Sequence, residues 1–327
     1  MLEDGRAGPA PLASVVVPTV GHRDLVARLL DALVHQTVPT ERFEVVVVVD
    51  GESEGTQELV ESFAGSLRLT CLTQPHAGRA SACNAGARQA SGSLVVLLDD
   101  DMQPVPGWLG AHLEAHDGAL RRCVMGAVPV LLDERSRPLE VWMGRRFDDH
   151  NTKLARPDHV FVLRDFYTGN TSIRRDVLLE VGGFDEDFRV YGHEDLELLV
   201  RLRRLGADLR FAPAAVAWQD YQKSFSNFAH DTEQAGRTAV LLAQKHPDVA
   251  PEVVLYRGGR RIWRTVNACL LFATRRSARV PRLIVALESF LAKVAPNRLS
   301  RFYALAADFF FWAGVQEADP RGRRIFR

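Results

Sequence analysis

Three consecutive carboxylates, Asp99, Asp100 and Asp101, follow directly after the apolar run Leu94–Leu98. At the end of a buried strand their mutual repulsion is costly unless a cation lies beside them. Oxygen ligands of this kind favour Mg²⁺ or Mn²⁺, and such an ion usually completes its coordination with water and substrate phosphates. The triplet therefore indicates a divalent-metal and phosphate site, with a solvated acidic turn as the plainer alternative.

Two further features suit the same chemistry. Asp50 also follows an apolar run, and the small residues from Gly78 to Gly86 open a helical stretch just before the acidic triplet. Small side chains let the backbone approach a ligand closely, and a helix N-terminus favours phosphate. Helix-to-sheet packing explains the glycines and alanines equally well, but it explains Arg79 and Asn84 less easily.

The elements that must position these residues can be identified from their patterns. Val15–Val17, Val45–Val49 and Leu94–Leu98 are short apolar runs typical of strands buried on both faces of a parallel sheet. Helical spacing follows the first run, in the order Leu25, Leu29, Leu30 and Leu33, and Ala80–Ala90 precedes the third. The order βαβαβ predicts an α/β fold with a doubly wound, mostly parallel sheet flanked by helices.

The second half of the chain has a different character. Cys123–Val130 reads as a further strand, Leu131–Pro157 as loop-rich, and Glu194–Leu205 as an amphipathic helix ending at Gly206. No GxGxxG sequence follows the first strand, so dinucleotide binding is disfavoured.

The net charge of the chain is zero, but the basic and acidic residues are unevenly distributed along it. The chain has 41 basic and 41 acidic residues, but Tyr256–Arg327 holds fifteen basic and four acidic ones, a net charge of +11 on that segment and −11 on the rest. Four separated cysteines without a CxxC motif support neither a disulfide framework nor a zinc cluster. With no secretory signal pattern and no apolar run of spanning length, we expect a cytoplasmic protein.

The basic segment predicts helices at Ile262–Ala273, Leu283–Val294 and Phe302–Val315. Arginines flanking apolar and aromatic residues fit peripheral contact with the inner face of a membrane. Docking against the acidic body and an oligomer interface remain open, whereas the acidic body disfavours nucleic acid. The arginines are Arg257, Arg260, Arg261, Arg264, Arg275, Arg276, Arg279 and Arg282, and the aromatics are Trp263, Phe272, Phe309, Phe310, Phe311 and Trp312.

We divide the chain accordingly. Residues 1–13 form an N-terminal tail, 14–250 the α/β domain, and 251–327 a basic helical C-terminal extension. Within the domain we separate 14–101, whose βαβαβ pattern is typical of a nucleotide-binding half, from 102–250.

A set of short motifs, in a fixed order from Ser14 to about His246, resembles the inverting family 2 glycosyltransferases of the GT-A fold. Singly these motifs are weak, but their order is specific. They are Val15-Val16-Val17-Pro18-Thr19, Leu33-Val34-His35-Gln36-Thr37, Val48-Val49-Asp50-Gly51-Glu52-Ser53, Asn84-Ala85-Gly86, Leu97-Leu98-Asp99-Asp100-Asp101, Thr168-Gly169-Asn170, Val181-Gly182-Gly183-Phe184-Asp185 and Tyr191-Gly192-His193-Glu194-Asp195-Leu196.

The resemblance implies a role for each matching position. The donor, a nucleotide sugar and most simply a UDP-sugar, would contact Pro18, Thr19, Asp50, Gly78, Arg79, Asn84, Asp99 and Asp100. Asp101 and Asp99, the ends of the DxD motif, would hold Mn²⁺ or Mg²⁺. Asp195 would be the catalytic base with Glu194 beside it, and Gly169, Asn170 and His193 would lie on the acceptor side. The resemblance thus implies that 102–250 is the acceptor half.

The sequence departs from the family pattern in two places. Cys83 stands where relatives often carry Arg or Lys, so Arg79 would have to supply that charge. Relatives also place a metal-binding His about two dozen residues beyond the Glu-Asp pair, where this chain has Gln219 and Asp220. We expect Gln219 or Asp220 to substitute, and assign Asp220 to the metal site; otherwise Asp101, diphosphate and water alone hold the ion.

The chemistry itself supports an acidic pair in this place. Inversion needs a base on the face opposite the leaving nucleoside diphosphate, ionised while the acceptor hydroxyl is still neutral. Glu194 and Asp195 open a helix, where the macrodipole favours the charged form, although acids also stabilise helix N-termini without any catalytic role. Successive residues project about 100° apart, so one of the two should face the acceptor.

Two other functions compete with a hexosyltransferase. A haloacid-dehalogenase-like phosphatase also places a DxD after an apolar strand, but on its first strand and followed by different residues. A non-catalytic nucleotide-sugar-binding domain would be favoured if Asp101 or Asp195 were missing, and both are present.

Overall fold

The computed structural model describes residues 11–52, 55–253 and 279–319. The first half alternates strands and helices, as the βαβ pattern predicts. Its elements are β1 (Ala13–Thr19), α1 (Arg23–Val34), β2 (Phe43–Asp50), α2 (Thr56–Ser62), β3 (Leu69–Gln74), α3 (Arg79–Gln89) and β4 (Leu94–Leu98).

The second half is richer in helix. Its elements are β5 (Met102–Pro104), α4 (Trp108–His116), β6 (Arg122–Gly126), α5 (Pro138–Leu154), β7 (Asn170–Arg174), α6 (Arg175–Glu180), α7 (Glu194–Arg204), β8 (Asp208–Ala212), β9 (Ala217–Gln219), α8 (Phe225–Lys245), α9 (Ala250–Val253), α10 (Arg279–Val294) and α11 (Ser300–Ala318).

Seven strands form the central sheet in the order β3-β2-β1-β4-β7-β6-β8, and β5 pairs with β9 in a separate ribbon. The strands β3, β2, β1 and β4 run parallel, whereas β7 runs antiparallel to both β4 and β6. Val15 of β1 lies between Val45 of β2 and Val96 of β4. The mostly parallel, doubly wound sheet is therefore confirmed.

Helices cover both faces of this sheet, which explains why its central strands are apolar throughout. Because side chains alternate along a strand, Val15 and Val17 pack on the α1 and α4 side with Leu29 and Trp108. Val16, between them, packs on the opposite side with the core of α3, α7 and α8.

The structure corrects three local expectations. Leu131–Pro157 is not loop-rich, because α5 fills most of it; Pro138 opens the helix and the Glu140 carboxylate accepts a bond from the Arg137 amide. The strand predicted at Cys123–Val130 ends at Gly126. The edge strand β3 and helix α2 precede α3 and were not expected, since β3 is a half-exposed, partly polar strand.

The helices expected at Leu283–Val294 and Phe302–Val315 are confirmed as α10 and α11, whereas Ile262–Ala273 lies outside the described residues. Helix α11 packs along α8 at two facing glycines: a Cβ on Gly236 would lie 2.0 Å from the Phe311 oxygen, and one on Gly314 only 1.9 Å from the Glu233 oxygen. Phe309, Phe310 and Phe311 are buried in this packing. Nowhere in the described parts of the chain is a helix long and apolar enough to cross a membrane.

Candidate active site

The carboxyl ends of β1, β2 and β4 meet at one edge of the sheet, as expected for parallel neighbours. They bring Thr19 and Asp100 together, because the Thr19 hydroxyl donates to Asp100 Oδ2 at 2.6 Å. His22 Nδ1 lies 3.0 Å from the same oxygen, and this hydrogen bond is the main cause of a raised His22 pKa. Pro18 is buried within β1. The middle residue of the acidic triplet, Asp100, is thus joined directly to the end of β1.

Asp50, at the end of β2, holds the loop that leads into α3. Its carboxylate accepts hydrogen bonds from Gln74 Nε2 and from the amides of Ala77 and Gly78, each at 2.8 Å. Burial opposes ionisation, but these bonds outweigh it and lower the Asp50 pKa. Gly78 has φ +95°, and a Cβ there would lie 2.8 Å from the Arg189 oxygen. Glycine is therefore required for this loop to pass under the 189–192 segment.

Arg79 connects the acidic triplet to the Glu-Asp pair. Its Nη2 donates to Asp99 Oδ1 at 2.7 Å, and its Nη1 donates to the Thr168 hydroxyl at 2.8 Å and lies 3.6 Å from Glu194 Oε1. Although burial alone would lower the Arg79 pKa, the carboxylates raise it well above its ordinary value. The guanidinium therefore stays charged. Gly169 lets Asp99 approach, since a Cβ there would lie 2.5 Å from Asp99 Oδ2.

Asp101 faces β9 rather than α3. Gln219 Nε2 donates to Asp101 Oδ2 at 2.9 Å, and the Asp220 amide donates to the Asp101 carbonyl at 2.8 Å. Burial, and then repulsion from Asp99, raise the Asp101 pKa to about 7. The other carboxylate oxygen, Oδ1, is buried without a hydrogen-bond partner, and so is Gln219 Oε1. Two unpartnered oxygens on neighbouring side chains fit a hard divalent cation.

The metal-ligand role predicted for Asp220 is corrected, because other side chains bind its carboxylate. Its carboxylate is bound by Arg28 Nη2 at 2.6 Å and by Gln222 Nε2. Gln219, one residue earlier, is the side chain that meets Asp101, because alternation along β9 turns Asp220 away. Within the described ranges, no group of three or more His, Cys, Asp or Glu side chains is arranged to hold a metal. An ion here would therefore need ligands from a bound diphosphate or water.

Glu194 and Asp195 differ in their surroundings although they are adjacent at the start of α7. Glu194 is buried, accepts a bond from the Gly192 amide at 3.1 Å and faces Arg79. Asp195 is partly exposed, and its carboxylate accepts a hydrogen bond from the amide of Leu196. Burial, and then the charge of Glu194, raise the Asp195 pKa to about 7. A carboxylate with this pKa can accept a proton near neutral pH.

Asn170, which was expected to contact the acceptor, is instead a buried structural group. Asn170 Oδ1 accepts from Trp108 Nε1 and lies 2.9 Å from His112 Nε2, while its Nδ2 donates to the Ala127 and Ala215 carbonyls. All its hydrogen-bonding groups are used, and the side chain is fully buried. The acceptor role predicted for Asn170 is corrected for this reason.

Asn84 is likewise occupied. Its Oδ1 accepts from the Phe184 amide, and its Nδ2 donates to the Phe184 carbonyl and to Glu186. Gly183 makes room for it, since a Cβ there would lie 2.4 Å from Asn84 Oδ1. Asn84 anchors the 183–186 turn to α3, so the predicted donor contact is corrected.

His193 turns away from the acidic cleft. Its Nδ1 lies 3.0 Å from the Thr238 hydroxyl of α8, and its ring lies 6.5 Å from that of Phe311. Burial lowers the His193 pKa to about 4, so the ring is neutral. Its φ of +67° is uncommon for a residue with a side chain. The acceptor role expected of His193 is corrected to a structural one behind the Glu-Asp pair.

Lys223 is a site residue that the sequence patterns did not reveal. Its Nζ donates to Asp231 at 2.7 Å and lies 4.6 Å from the centroid of the Tyr191 ring. Its charge lowers the pKa of Asp101. Lysine is rare in this chain, with four among 41 basic residues, but this rarity does not distinguish Lys223 from the other three.

Comparison with known proteins agrees with this geometry. The family model described as glycosyl transferase family 2 matches residues 14–182, and one described as the N-terminal domain of galactosyltransferase matches 145–226. The chain is 32% identical over 292 residues to a validoxylamine A glucosyltransferase of Streptomyces hygroscopicus subsp. jinggangensis, covering 80% of this chain and 68% of that protein. It is 27% identical to a pre-mycofactocin glycosyltransferase of Mycobacterium tuberculosis, covering 86% of this chain and 60% of that protein.

Solved structures share the fold. The mannosyltransferase PcManGT from Pyrobaculum calidifontis, in complex with GDP-Man and Mn²⁺, superposes with a TM-score of 0.62 at 22% identity, covering 95% of this chain and 88% of that one. S. aureus TarS 1-349 in complex with UDP-GlcNAc gives 0.54 at 19% identity, covering 95% and 92%. The GT-A fold is thereby confirmed. From its family match over more than half its length, the chain belongs to glycosyl transferase family 2 and is an enzyme of that type.

Proposed function

We propose that this enzyme moves a hexose from a nucleotide-sugar donor, a UDP-sugar, to an acceptor hydroxyl by a metal-assisted single displacement with inversion. The family and the relatives support sugar transfer. Among the structural neighbours, one was solved with GDP-Man and another with UDP-GlcNAc, so the nucleotide base rests on the sequence resemblance alone, and so does inversion.

The observation that carries the mechanism is the environment of Asp195. Its carboxylate is partly exposed, has a pKa raised to about 7, and stands beside Glu194, which Arg79 joins to the acidic triplet. In the proposed step, Asp195 takes the proton of the acceptor hydroxyl while the acceptor oxygen bonds to the anomeric carbon. The bond from that carbon to the diphosphate oxygen breaks, and the nucleoside diphosphate leaves.

Arg79 and Lys223 are suited to the charge that develops on the leaving group. Arg79 stays protonated between Asp99 and Glu194, and Lys223, whose charge lowers the pKa of Asp101, has a raised pKa because Tyr191 and Asp231 outweigh its burial. Fixed cations that need not reorganise stabilise such charge efficiently. Thr19, Asp50 and Gly78 would shape the nucleotide site through the loop contacts already described.

Asp101 and Gln219 are the residues that would hold Mn²⁺ or Mg²⁺, through the two buried oxygens that lack partners. When bound, such an ion neutralises charge on the diphosphate oxygens. The carboxylate of Asp220 is excluded from this proposal because Arg28 occupies it.

A thermal-shift screen tests donor and metal together. UDP- and GDP-sugars are each added with and without Mn²⁺ to the wild-type protein and to Asp101→Ala, Gln219→Ala and Asp220→Ala. We expect Mn²⁺-dependent stabilisation by UDP-sugars, lost in Asp101→Ala and weakened in Gln219→Ala. Asp220→Ala is the matched control and should keep it. Equal loss in Asp220→Ala would contradict the ligand assignment, and stabilisation by GDP-sugars alone would contradict the donor base.

A further inference from the structure

Helix α10 carries an apolar stripe that faces solvent. Leu283, Leu287, Phe290 and Val294 are 66%, 47%, 59% and 60% exposed, and their spacing of four, three and four residues places them on one face of the helix. Isolated exposed apolar residues are ordinary, but a contiguous row of four large ones marks an interaction surface.

The contacts of the inward face of α10 fix the rotation of the helix about its own axis. Glu288 is buried, and its Oε1 accepts a hydrogen bond of 2.7 Å from the buried Tyr303 hydroxyl of α11. Ile284, Val285 and Leu291 pack against the aromatic core beneath. The helix therefore has apolar residues on both faces, and its orientation is fixed by a buried polar contact.

The exposed charged side chains on α10 and just after it are all basic. Arg282, Ala286, Ser289 and Lys293 form a second exposed row next to it, with a cation at each end. Arg298, in the turn that follows, and Arg301, in the first turn of α11, are exposed as well. The one acidic residue between Arg279 and Ala307 is the buried Glu288. None of these four exposed cations has an ion-pair partner among the residues that the structure describes.

From these observations we propose that α10 docks on an anionic lipid surface. The helix lies in the plane of the interface with Leu283, Leu287, Phe290 and Val294 in the acyl boundary, while Arg282, Lys293, Arg298 and Arg301 contact anionic headgroups. Amphipathic helices with basic flanks bind membranes in this way, by apolar burial together with electrostatic attraction. At about 24 Å for 16 residues, α10 lies on the bilayer and does not span it.

Charge also decides against two other occupants of this face. A second copy docked through α10 in a two-fold interface would bring Arg282 and Lys293 against the same cations, with no exposed acid to compensate. Residues 254–278 of this chain carry six arginines and no acidic residue, so covering the stripe with them would create the same repulsion.

The experiment uses the full-length protein with sedimented vesicles of phosphatidylcholine alone and of phosphatidylcholine mixed with phosphatidylglycerol. We expect binding to the mixed vesicles that weakens as salt is raised. The double variants Leu287→Ser/Phe290→Ser and Arg282→Gln/Lys293→Gln should each weaken it by about tenfold or more. The matched controls, Leu120→Ser/Val160→Ser and Arg135→Gln/Arg210→Gln, alter exposed residues of the body and should leave it unchanged.

Two further measurements keep the proposal falsifiable if a variant folds poorly. Hydrogen exchange of the wild-type protein should show protection of 283–294 on adding the mixed vesicles. Light scattering reports the oligomeric state without lipid. Absence of vesicle binding, protection confined to 254–278, equal loss in the body controls, or a dimer that the α10 variants dissociate would each overturn the proposal.

Discussion

Replacing Asp195 with asparagine tests the proposed base through the pH dependence of turnover. Burial and the neighbouring Glu194 charge raise the Asp195 pKa to about 7. If the ionised form is required, kcat/KM of the wild-type enzyme should rise about tenfold between about pH 6 and about pH 8. Asp195→Asn keeps the size of the side chain but removes its basicity, so kcat/KM should fall by about 10²-fold or more and the rise with pH should disappear.

Two neighbours of Asp195 should shift the pH dependence of kcat/KM in opposite directions when they are replaced. Glu194 raises the Asp195 pKa, so Glu194→Gln should move the rise in kcat/KM to lower pH. Arg79 lowers that pKa, so Arg79→Met should move the rise to higher pH. Opposite shifts from two residues on the same side of the site cannot come from general damage to the fold.

The assay is initial transfer rate against pH at saturating Mn²⁺, with the donor Kd measured separately by calorimetry. A rise with pH that persists in Asp195→Asn would assign it to another group, and a larger rate loss in Glu194→Gln would move the base one residue back. Equal loss of donor binding and rate in Asp195→Asn would make the pair a donor-holding element.

Thermal unfolding supplies the control for this variant. The folded-state pKa of Asp195 lies above its ordinary value, so its stabilising contribution is complete at pH below the unfolded pKa and is lost as pH rises through about 7. Above neutral pH the folded protein must bury a charge that asparagine lacks. Asp195→Asn should therefore raise the Tm there, and a lowered Tm would show that the rate loss reflects damage to the fold.

Three other substitutions follow from the contacts. Asn170→Ala should destabilise the fold by about 3 kcal/mol or more, because it strands several buried groups, while donor affinity measured in the folded protein stays near the wild-type value; selective loss of acceptor binding would restore the acceptor role. Gly314→Val should lower the Tm sharply, since its Cβ would meet the Glu233 oxygen, and an unchanged melting curve would contradict the close helix contact. Lys223→Met should weaken binding of the nucleoside diphosphate, measured by calorimetry, with Lys153→Met as the control that does not.

The central strands could be predicted because a strand that is buried on both faces consists of consecutive apolar residues. Val45–Val49 is a run of five valines without polar interruption, and β-branched residues in a short apolar run favour a strand. Edge strand β3 is half exposed and mixes Leu with Thr and Gln, so its pattern resembles a loop. Helix α5 had a usable signal, Pro138 at its first turn followed by Glu140, but its mixture of charged and apolar residues obscured the helical period.

The fold class predicts which loops meet at the site. It does not predict which side-chain atoms remain available to bind a ligand. Strand order brings Thr19, Asp50 and the acidic triplet to one edge, and this follows from the fold class. The Asn170 side chain is fully hydrogen-bonded because Trp108 and His112 contact its Oδ1. These partners lie about 60 residues away in the sequence, so no local pattern reveals them. The choice between Gln219 and Asp220 depended on the pairing of β9 with β5, a ribbon of three residues per strand.

The basic C-terminal extension, which the sequence separates from the α/β domain by charge, is joined to the active site by packing. Gly236 and Gly314 let α8 and α11 approach until backbone meets backbone, and this brings Thr238 and Phe311 against His193. His193 directly precedes Glu194, and its uncommon backbone conformation sets the direction in which α7 begins. On its other side, α11 holds α10 through Tyr303 and Glu288. Because one helix contacts both, the orientation of the solvent-facing stripe and that of the Glu-Asp pair are fixed by the same packed core.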